Sequence, residues 1–288
     1  MNEKKWPNFF IVGAPRAGTT ALYNYLKAIP EIYMSPVKDP GYFIPNDFRG
    51  FTEQTYIELF KNVKNEIAIG EASAGYLANS ETPKRIKEKS PSAKIIITLR
   101  DPVGRTFSHY LNWKRTGKIK ISFEKVVEKF LDKNKNDEQL EKMIHVSMYY
   151  EQVKRYLEIF GKENVKILIF EETVKDIKNT IKKIFEFLGV RAEPPENIEE
   201  QYSVYSEPLG SIGTSIAQNK IISKIAKKIL PSTKQEQLLR TLLNKKGEKP
   251  ELLDTTKKKL QSVFHDDVKK LEKLLGRSLP WPTVKEEN

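Results

Sequence analysis

The fold of this chain is decided by one stretch near its start, which reads Phe9-Phe10-Ile11-Val12-Gly13-Ala14-Pro15-Arg16-Ala17-Gly18-Thr19-Thr20-Ala21-Leu22. An apolar run meets a glycine, and a second glycine and two hydroxyl residues then precede a helical pattern. This order predicts a strand, a tight loop and a helix. Glycines let the backbone approach an anion closely, and a helix N-terminus favours negative charge because its amide groups and macrodipole face that way. The stretch therefore predicts a phosphate-binding loop.

The spacing of this loop argues against the usual nucleoside-triphosphate chemistry. It reads G-x-x-x-x-G-T-T, whereas a kinase or ATPase loop reads G-x-x-x-x-G-K-[ST] and places its lysine on the β- and γ-phosphates. Thr19 replaces that lysine, and the cation lies within the loop as Arg16. We therefore expect a ligand with a 5′-phosphate whose terminal group is not a γ-phosphate. The expected contacts are Arg16, Ala17, Gly18, Thr19 and Thr20.

A second junction between a strand and a helix carries another basic residue. Residues 94–99 read as a buried parallel strand, which runs directly into Arg100, Asp101 and Pro102. Arginine at a strand end can bind a phosphate through two nitrogens, and proline is favoured at the first position of a helix. Ser108 lies about two turns into that helix and can offer its hydroxyl to the same anion. The junction predicts a second anion site.

Together the two junctions resemble the sulfotransferases that use 3′-phosphoadenosine 5′-phosphosulfate (PAPS), although many members have a lysine at the position of Arg16. The Thr-Thr-Ala-Leu-Tyr continuation is most similar to the glycan-modifying branch, including heparan sulfate N- and O-sulfotransferases. The resemblance implies that the first loop binds the 5′-phosphosulfate, that Arg100 and Ser108 bind the 3′-phosphate, and that adenosine 3′,5′-bisphosphate is the product. It also implies a late loop over the 3′-phosphate, formed by Lys245, Lys246 and Gly247.

The resemblance points to Asp39 as the leading candidate for the base that deprotonates the acceptor. Residues 38–43 are similar to a family segment whose glutamate is taken as that base, and Asp39 stands at its position with one methylene fewer. Gly41 replaces the histidine that accompanies this glutamate in many O-sulfotransferases. An aspartate before a proline is also a frequent turn pairing, so a purely structural role for Asp39 stays open.

Glu71 and His145 are two further candidates for the base. Glu71 ends a short predicted strand over 66–71, where strand ends line the ligand crevice of an open α/β sheet. Ala72 follows it where the family has a sulfonate-binding lysine, a contact that Lys38 or Arg16 could replace. His145 opens a predicted helix over 145–157 that is similar to a family segment bordering the acceptor cleft.

The alternation of strands and helices predicts one α/β domain over residues 1–288 with a P-loop-type, three-layer fold. We expect a parallel sheet of four to five strands flanked by helices on both faces. Residues 32–43 read as loop because Pro36 and Pro40 interrupt them. The resemblance covers residues 8–190 and about 245–282, so we interpret 200–244 as a variable helical insertion.

Composition sets limits on partners and location. The 288 residues carry a net charge of +12, which favours an anionic partner, and contain no cysteine, which excludes disulfides and thiolate chemistry. The start of the chain has no apolar signal-peptide region, so we expect a cytoplasmic protein. Residues 216–230 read as a basic amphipathic helix that could contact a membrane surface. We expect no metal site and no nucleic-acid partner.

These features predict an enzyme that transfers sulfonate from PAPS to a hydroxyl or amine, most consistent with a carbohydrate acceptor. Arg16 would stabilise the charge that develops on the leaving 5′-phosphate. Two alternatives remain at this point. A P-loop kinase or nucleoside triphosphatase would need an acidic strand end for Mg²⁺, for which Glu71 is the candidate. A non-catalytic anion-binding or membrane-binding protein is the other, because Ala72 and the undecided base weaken the assignment of catalysis.

Overall fold

A parallel sheet lies at the centre of the molecule, whose structure is a computed structural model. Its five strands run in the spatial order β2-β3-β1-β4-β5. Their bounds are β1 Phe9–Gly13, β2 Ile32–Met34, β3 Ala68–Ala72, β4 Lys94–Leu99 and β5 Val165–Ile169. Every pairing in this sheet is parallel, so the carboxyl ends of all five strands share one edge. The predicted α/β class and strand number are confirmed.

The structure describes residues 5–47, 49–132, 137–194, 207–208, 244–245 and 251–282. Ten α-helices fall within these residues: α1 Thr19–Lys27, α2 Glu53–Ile57, α3 Thr82–Lys89, α4 Pro102–Arg115, α5 Phe123–Leu131, α6 Glu138–His145, α7 Tyr150–Phe160, α8 Phe170–Lys175, α9 Ile177–Leu188 and α10 Asp254–Leu275. Short 3₁₀ turns follow α2 and α7, at Glu58–Phe60 and Lys162–Asn164. Within the described ranges, no helix is long and apolar enough to cross a bilayer.

Side chains of the sheet alternate between two separate cores, which makes the fold three-layered. In β1, Phe9 and Ile11 pack with residues of α1 and α9, whereas Phe10 and Val12 face α3, α4, α7 and α10. The strand is buried on both faces, and its continuous apolar run is typical of a central parallel strand. Burial of this kind is the main favourable term in folding. It fixes β1, and with it the position of the loop that follows.

The helix after β4 begins as its sequence predicts. Pro102 occupies the first turn, and the Asp101 carboxylate accepts hydrogen bonds from the amides of Val103, at 3.4 Å, and Gly104, at 2.9 Å. This side chain satisfies two amides that no intrahelical carbonyl can reach. The cap therefore sets the direction in which α4 leaves the sheet edge.

Two sequence predictions about element boundaries are wrong. Residues 32–34, predicted as loop, form β2, because Pro36 and Pro40 lie beyond these three residues and leave them free to pair with β3. The predicted single helix over 145–157 is two helices. α6 ends at His145, and α7 begins at Tyr150, where the Asp267 carboxylate of α10 accepts the Tyr149 and Tyr150 amides. A partner distant in sequence thus caps α7 and ends the helical run.

The predicted insertion over 200–244 lies almost wholly outside the described residues, as does the predicted helix over 216–230. What is described there is a short antiparallel pair, in which β6, Glu207–Pro208, faces β7, Asn244–Lys245.

Candidate active site

The phosphate-binding loop predicted from the sequence lies between β1 and α1, at the carboxyl edge of the sheet. Gly13 has φ +146°, and a β-carbon there would lie 2.7 Å from both the Ala74 carbonyl oxygen and the Leu77 β-carbon. Gly18 has φ +88° and starts α1 without any side-chain cap. The first amides of α1 therefore remain available to an anion, where the helix dipole also favours one.

The two predicted anion sites meet through Arg16. Its Nε donates a hydrogen bond to the Ser108 hydroxyl at 3.2 Å, across 92 residues of sequence. Arg100 donates from Nη1 to the Arg16 carbonyl oxygen at 3.2 Å. The loop after β1, the residue after β4 and the second turn of α4 thus form one cluster, the anion cluster of Arg16, Arg100 and Ser108. Adjacent parallel strands make this possible, because β1 and β4 are neighbours whose ends coincide.

Arg100 is held in place through both its side chain and its backbone. Its guanidinium carbon lies 4.7 Å from the centre of the Phe170 ring, a cation–π distance, and Phe170 starts α8 directly after β5. The Tyr149 hydroxyl donates to the Arg100 carbonyl oxygen at 2.9 Å. The arginine head is therefore oriented before any ligand arrives, which lowers the entropy cost of binding one.

The electrostatics of the cluster favour a bound anion. The pKa of Arg16 lies below its usual value. Partial burial is the larger cause, and repulsion from the guanidinium groups of Arg115 and Arg100 adds to it. Within the described part of the chain no carboxylate forms an ion pair with Arg16, Arg100 or Arg115. The positive charges of these three arginines repel one another in the free protein. A phosphate group bound between them would attract each of them and offset that repulsion.

Asp39 lies in the segment after β2 and is hydrogen-bonded to the end of β3, near the phosphate-binding loop. Its amide donates to the Ala72 carbonyl oxygen at 2.8 Å, and its Oδ1 accepts from the Ala74 amide at 2.9 Å. Ala74 in turn abuts Gly13, the first residue of the phosphate-binding loop. The other oxygen of Asp39 pairs with Lys38 Nζ at 2.6 Å, and 41% of the Asp39 side chain is exposed. Asp39 is thus an accessible carboxylate that is linked through Ala74 to the start of the phosphate-binding loop.

Glu71 does not line an open crevice, and that prediction is wrong. The residue is 0% exposed, and its Oε2 accepts hydrogen bonds from the hydroxyls of Tyr56, at 2.8 Å, and Tyr76, at 2.9 Å. Desolvation raises its pKa to about 7, although hydrogen bonds from neighbouring hydroxyls act in the opposite direction. Glu71 faces the core because β3 pairs it with Phe10, and Tyr56 of α2 covers that face. A buried carboxyl cannot take a proton directly from an acceptor.

Where the structure describes them, the other predicted site residues make no hydrogen bond with the side chains of the anion cluster. His145 is exposed at the end of α6, and its ring packs edge-on against Phe130 of α5 with centroids 5.7 Å apart. It has no hydrogen bond to the anion cluster or Asp39 among the residues that the structure describes. Thr19 is buried and Thr20 exposed at the start of α1. Lys245 contributes its backbone to β7, whereas Lys246 and Gly247 lie outside the described residues.

A family model for the sulfotransferase domain matches residues 7–274 of the chain. The chain belongs to the sulfotransferase family. It is 30% identical to a solved sulfotransferase from Alicyclobacillus acidocaldarius, with a TM-score of 0.70 and coverage of 96% of this chain and 98% of that one. The match therefore extends over the whole fold, including the loops that carry the anion cluster.

Two curated relatives belong to the glycan-modifying branch. Carbohydrate sulfotransferase 15 of Mus musculus is 27% identical over an alignment of 245 residues, and the match covers 64% of this chain and 44% of the relative. Heparan sulfate glucosamine 3-O-sulfotransferase 3B1 of Mus musculus is 25% identical over 190 residues, covering 66% of this chain and 47% of the relative. The chain thus spans about half the length of these relatives.

Sequence reasoning missed three residues of this sulfotransferase that bear on the site. Phe170 stacks on Arg100, Arg115 repels Arg16, and Arg49 contacts Asp39. A signal existed for Phe170, because it follows a strand whose end lies beside that of β4. A weaker sequence signal existed for Arg115, because it lies seven residues after Ser108 and therefore on the same face of α4. Arg49 lies in irregular chain, where no period predicts contacts.

Proposed function

We propose that this protein transfers the sulfonate group of PAPS to a hydroxyl or amine group of an acceptor, and that the acceptor is a carbohydrate. The observation that carries the proposal is the hydrogen bond between Arg16 and Ser108, which joins the loop after β1 to the helix after β4. A nucleotide with phosphates at both the 5′ and the 3′ position fits such a joined pair of basic sites. AMP would occupy only one of them.

Different residues would bind the two phosphates of PAPS and deprotonate the acceptor. Arg16 and the first amides of α1 would bind the 5′-phosphate and stabilise the charge that grows there during transfer. Arg100 and Ser108 would hold the 3′-phosphate. Asp39, as the accessible carboxylate near the phosphate-binding loop, would accept the proton of the acceptor. PAPS supplies the sulfonate group, and Lys245, Lys246 and Gly247 stay predicted contacts to it.

The carbohydrate acceptor is supported by the relatives rather than by a pocket. The two curated relatives described above are named for carbohydrate and for heparan sulfate glucosamine. The positive net charge of +12 also suits an acidic glycan.

Calorimetry and transfer assays test the proposal together. We expect adenosine 3′,5′-bisphosphate to bind far more tightly than AMP or Mg²⁺-ATP, and equal affinity for AMP would contradict the two-site assignment. Sulfur-labelled PAPS offered with a library of desulfated and sulfated glycans should then yield a labelled product. Tight binding of the bisphosphate without transfer to any acceptor would instead favour the non-catalytic alternative.

The kinase alternative finds no support in the position of Glu71. Its carboxyl is bound between two tyrosine hydroxyls in the core, whereas a Mg²⁺ ligand must reach the phosphates. The cytoplasmic location stays a prediction, as does membrane contact through residues 216–230. Flotation of the protein with anionic lipid vesicles would test that contact.

A further inference from the structure

The guanidinium of Arg49 fills the space beside Gly41, in the segment that connects β2 with α2. A β-carbon on Gly41 would lie 2.2 Å from Arg49 Nη2 and 2.4 Å from Cζ, and Gly41 has φ +73°. No side chain fits at position 41 while Arg49 keeps its place. The glycine and the arginine are therefore complementary, and together they put a cation next to Asp39.

Arg49 is held in that place by Asp47. Its Nε donates to Asp47 Oδ1 at 2.5 Å, and its Nη2 donates to Asp47 Oδ2. The hydrogen bond from Arg49 lowers the pKa of Asp47, and the same bond raises the pKa of Arg49. Two parallel bonds between planar groups fix orientation as well as distance. The pair thus behaves as one rigid unit at neutral pH.

The remaining nitrogen of Arg49 reaches the backbone of Asp39. Nη1 donates to the Asp39 carbonyl oxygen at 2.5 Å. Asp39 has φ +57°, a left-handed conformation that is uncommon for residues with a β-carbon, although aspartate adopts it more readily than most. Two other contacts of Asp39, through its amide and its Oδ1, come from the end of β3. Arg49 adds a contact to the Asp39 carbonyl oxygen from a residue ten positions further along the chain.

We propose that Arg49, fixed by Asp47, is a positioning residue that orients Asp39 toward the acceptor. The inference rests on the proposed function, with Asp39 as the base. A general base must lie within hydrogen-bond reach of the proton it removes, and small displacements of a catalytic group lower the rate steeply. The left-handed backbone of Asp39 would relax without Arg49, and its carboxylate would then turn away from the position that catalysis needs.

The test compares Arg49→Ala with Arg85→Ala on an acceptor that the glycan library identifies. Arg85 is a matched control, because its Nη1 donates to the Phe43 carbonyl oxygen at 3.2 Å in the same segment, away from Asp39. We expect Arg49→Ala to lower kcat ~10- to 100-fold. Affinity for adenosine 3′,5′-bisphosphate, the melting temperature and the acceptor KM should stay close to wild type. Arg85→Ala should leave kcat within about two-fold of wild type, since it does not touch the base.

Two further measurements separate positioning from a general structural effect. Added methylguanidinium should restore part of the kcat of Arg49→Ala, because it can occupy the space beside Gly41. In an Asp39→Asn background, Arg49→Ala should have almost no further effect, since the two residues act as one unit. Multiplicative losses in the double variant would overturn the proposal. A raised acceptor KM with unchanged kcat would also overturn it, because Arg49 would then bind the acceptor itself.

Failure of the proposed function gives a different result from failure of this inference. If wild-type protein transfers sulfonate to no acceptor, the proposed function fails and the role of Arg49 fails with it. If wild type is active and Arg49→Ala is equally active, only the role of Arg49 is wrong.

Discussion

Single residues explain how the two predicted anion sites come into contact. Arg16 makes the connection because its left-handed backbone, with φ +70°, and the small loop residues around it leave the side chain free to reach Ser108. Arg100 contributes from the neighbouring strand, with its head on Phe170. Neither arginine forms an ion pair with a carboxylate among the described residues, so both guanidinium groups are available for phosphate.

Arg100→Ala tests the 3′-phosphate assignment. We expect the substitution to weaken binding of adenosine 3′,5′-bisphosphate by roughly 2–4 kcal/mol, the scale for removing one partner of a buried charged pair. Binding of AMP, which has no 3′-phosphate, should change little and serves as the internal control. Titration calorimetry of both ligands measures the difference, and an equal loss for both would mean that Arg100 acts through the loop instead.

Glu71→Gln tests the buried carboxyl through the pH dependence of stability. The unfolded carboxyl ionises near 4.5, whereas burial raises the folded pKa to about 7. Between these values the folded state binds more protons than the unfolded state, so stability falls as pH rises through this window. The loss attributable to Glu71 is on the order of 3 kcal/mol.

Denaturant unfolding of wild type and Glu71→Gln at pH 5 and pH 8 measures this loss. Wild type should lose more stability than the variant across that interval, whatever the variant's absolute stability. Parallel profiles for the two proteins would show that Glu71 ionises with its ordinary pKa in the folded state.

The N-termini of α1 and α4 position the groups of the candidate site. α1 begins without a side-chain cap and so leaves its amides for a ligand, whereas α4 begins with the Asp101 cap and so carries Ser108 in a defined direction. The Glu171 carboxylate strengthens this start by accepting the Asp101 amide at 3.0 Å. The two helix starts thus differ in capping, since only that of α4 has a side-chain cap.

Asp101→Ala tests whether the start of α4 also supports ligand binding. Loss of an N-cap should lower the unfolding free energy by about 1 kcal/mol, and affinity for the bisphosphate should fall as well because Ser108 moves with the helix. Ser122→Ala is the matched control, since Ser122 caps α5 by accepting the Lys125 amide at 3.3 Å. We expect a similar loss of stability there and unchanged affinity. Equal affinities in both variants would argue against the coupling.

At the scale of the whole molecule, the C-terminal part of the chain completes the core beside the site. α10 packs against α4, α5 and α7, and Phe264 is 1% exposed within that core. Trp281 then donates from Nε1 to the Glu171 carboxylate at 3.0 Å, the same group that holds Asp101. The end of the described chain is thereby linked to the second anion junction.

Phe264→Ala should destabilise the whole domain by about 3–5 kcal/mol, because it leaves a cavity between α10 and the sheet-facing helices. Val263→Ala, on the adjacent and only partly buried position of the same helix, should cost clearly less. Chemical unfolding of both variants measures the contrast. Equal small losses would mean that α10 is not part of the cooperative core.

Sequence alone predicted the central features of this protein, and each was a local one. The apolar run before Gly13, the glycine spacing of the loop and Pro102 after Arg100 are patterns of neighbouring residues. Neighbouring residues decide strands, tight loops and helix starts. That is why the two strand–loop–helix junctions and the fold class could be predicted before any contact was known.

Only the tertiary structure decided which of those features work together. The contact between Arg16 and Ser108 spans 92 residues and depends on β1 and β4 being neighbours. Glu71 is a core residue because Tyr56, from the chain between β2 and β3, covers it. Arg49 meets Asp39 through a segment with no regular period. Such contacts depend on how irregular chain folds over the strand ends, and no local pattern encodes them.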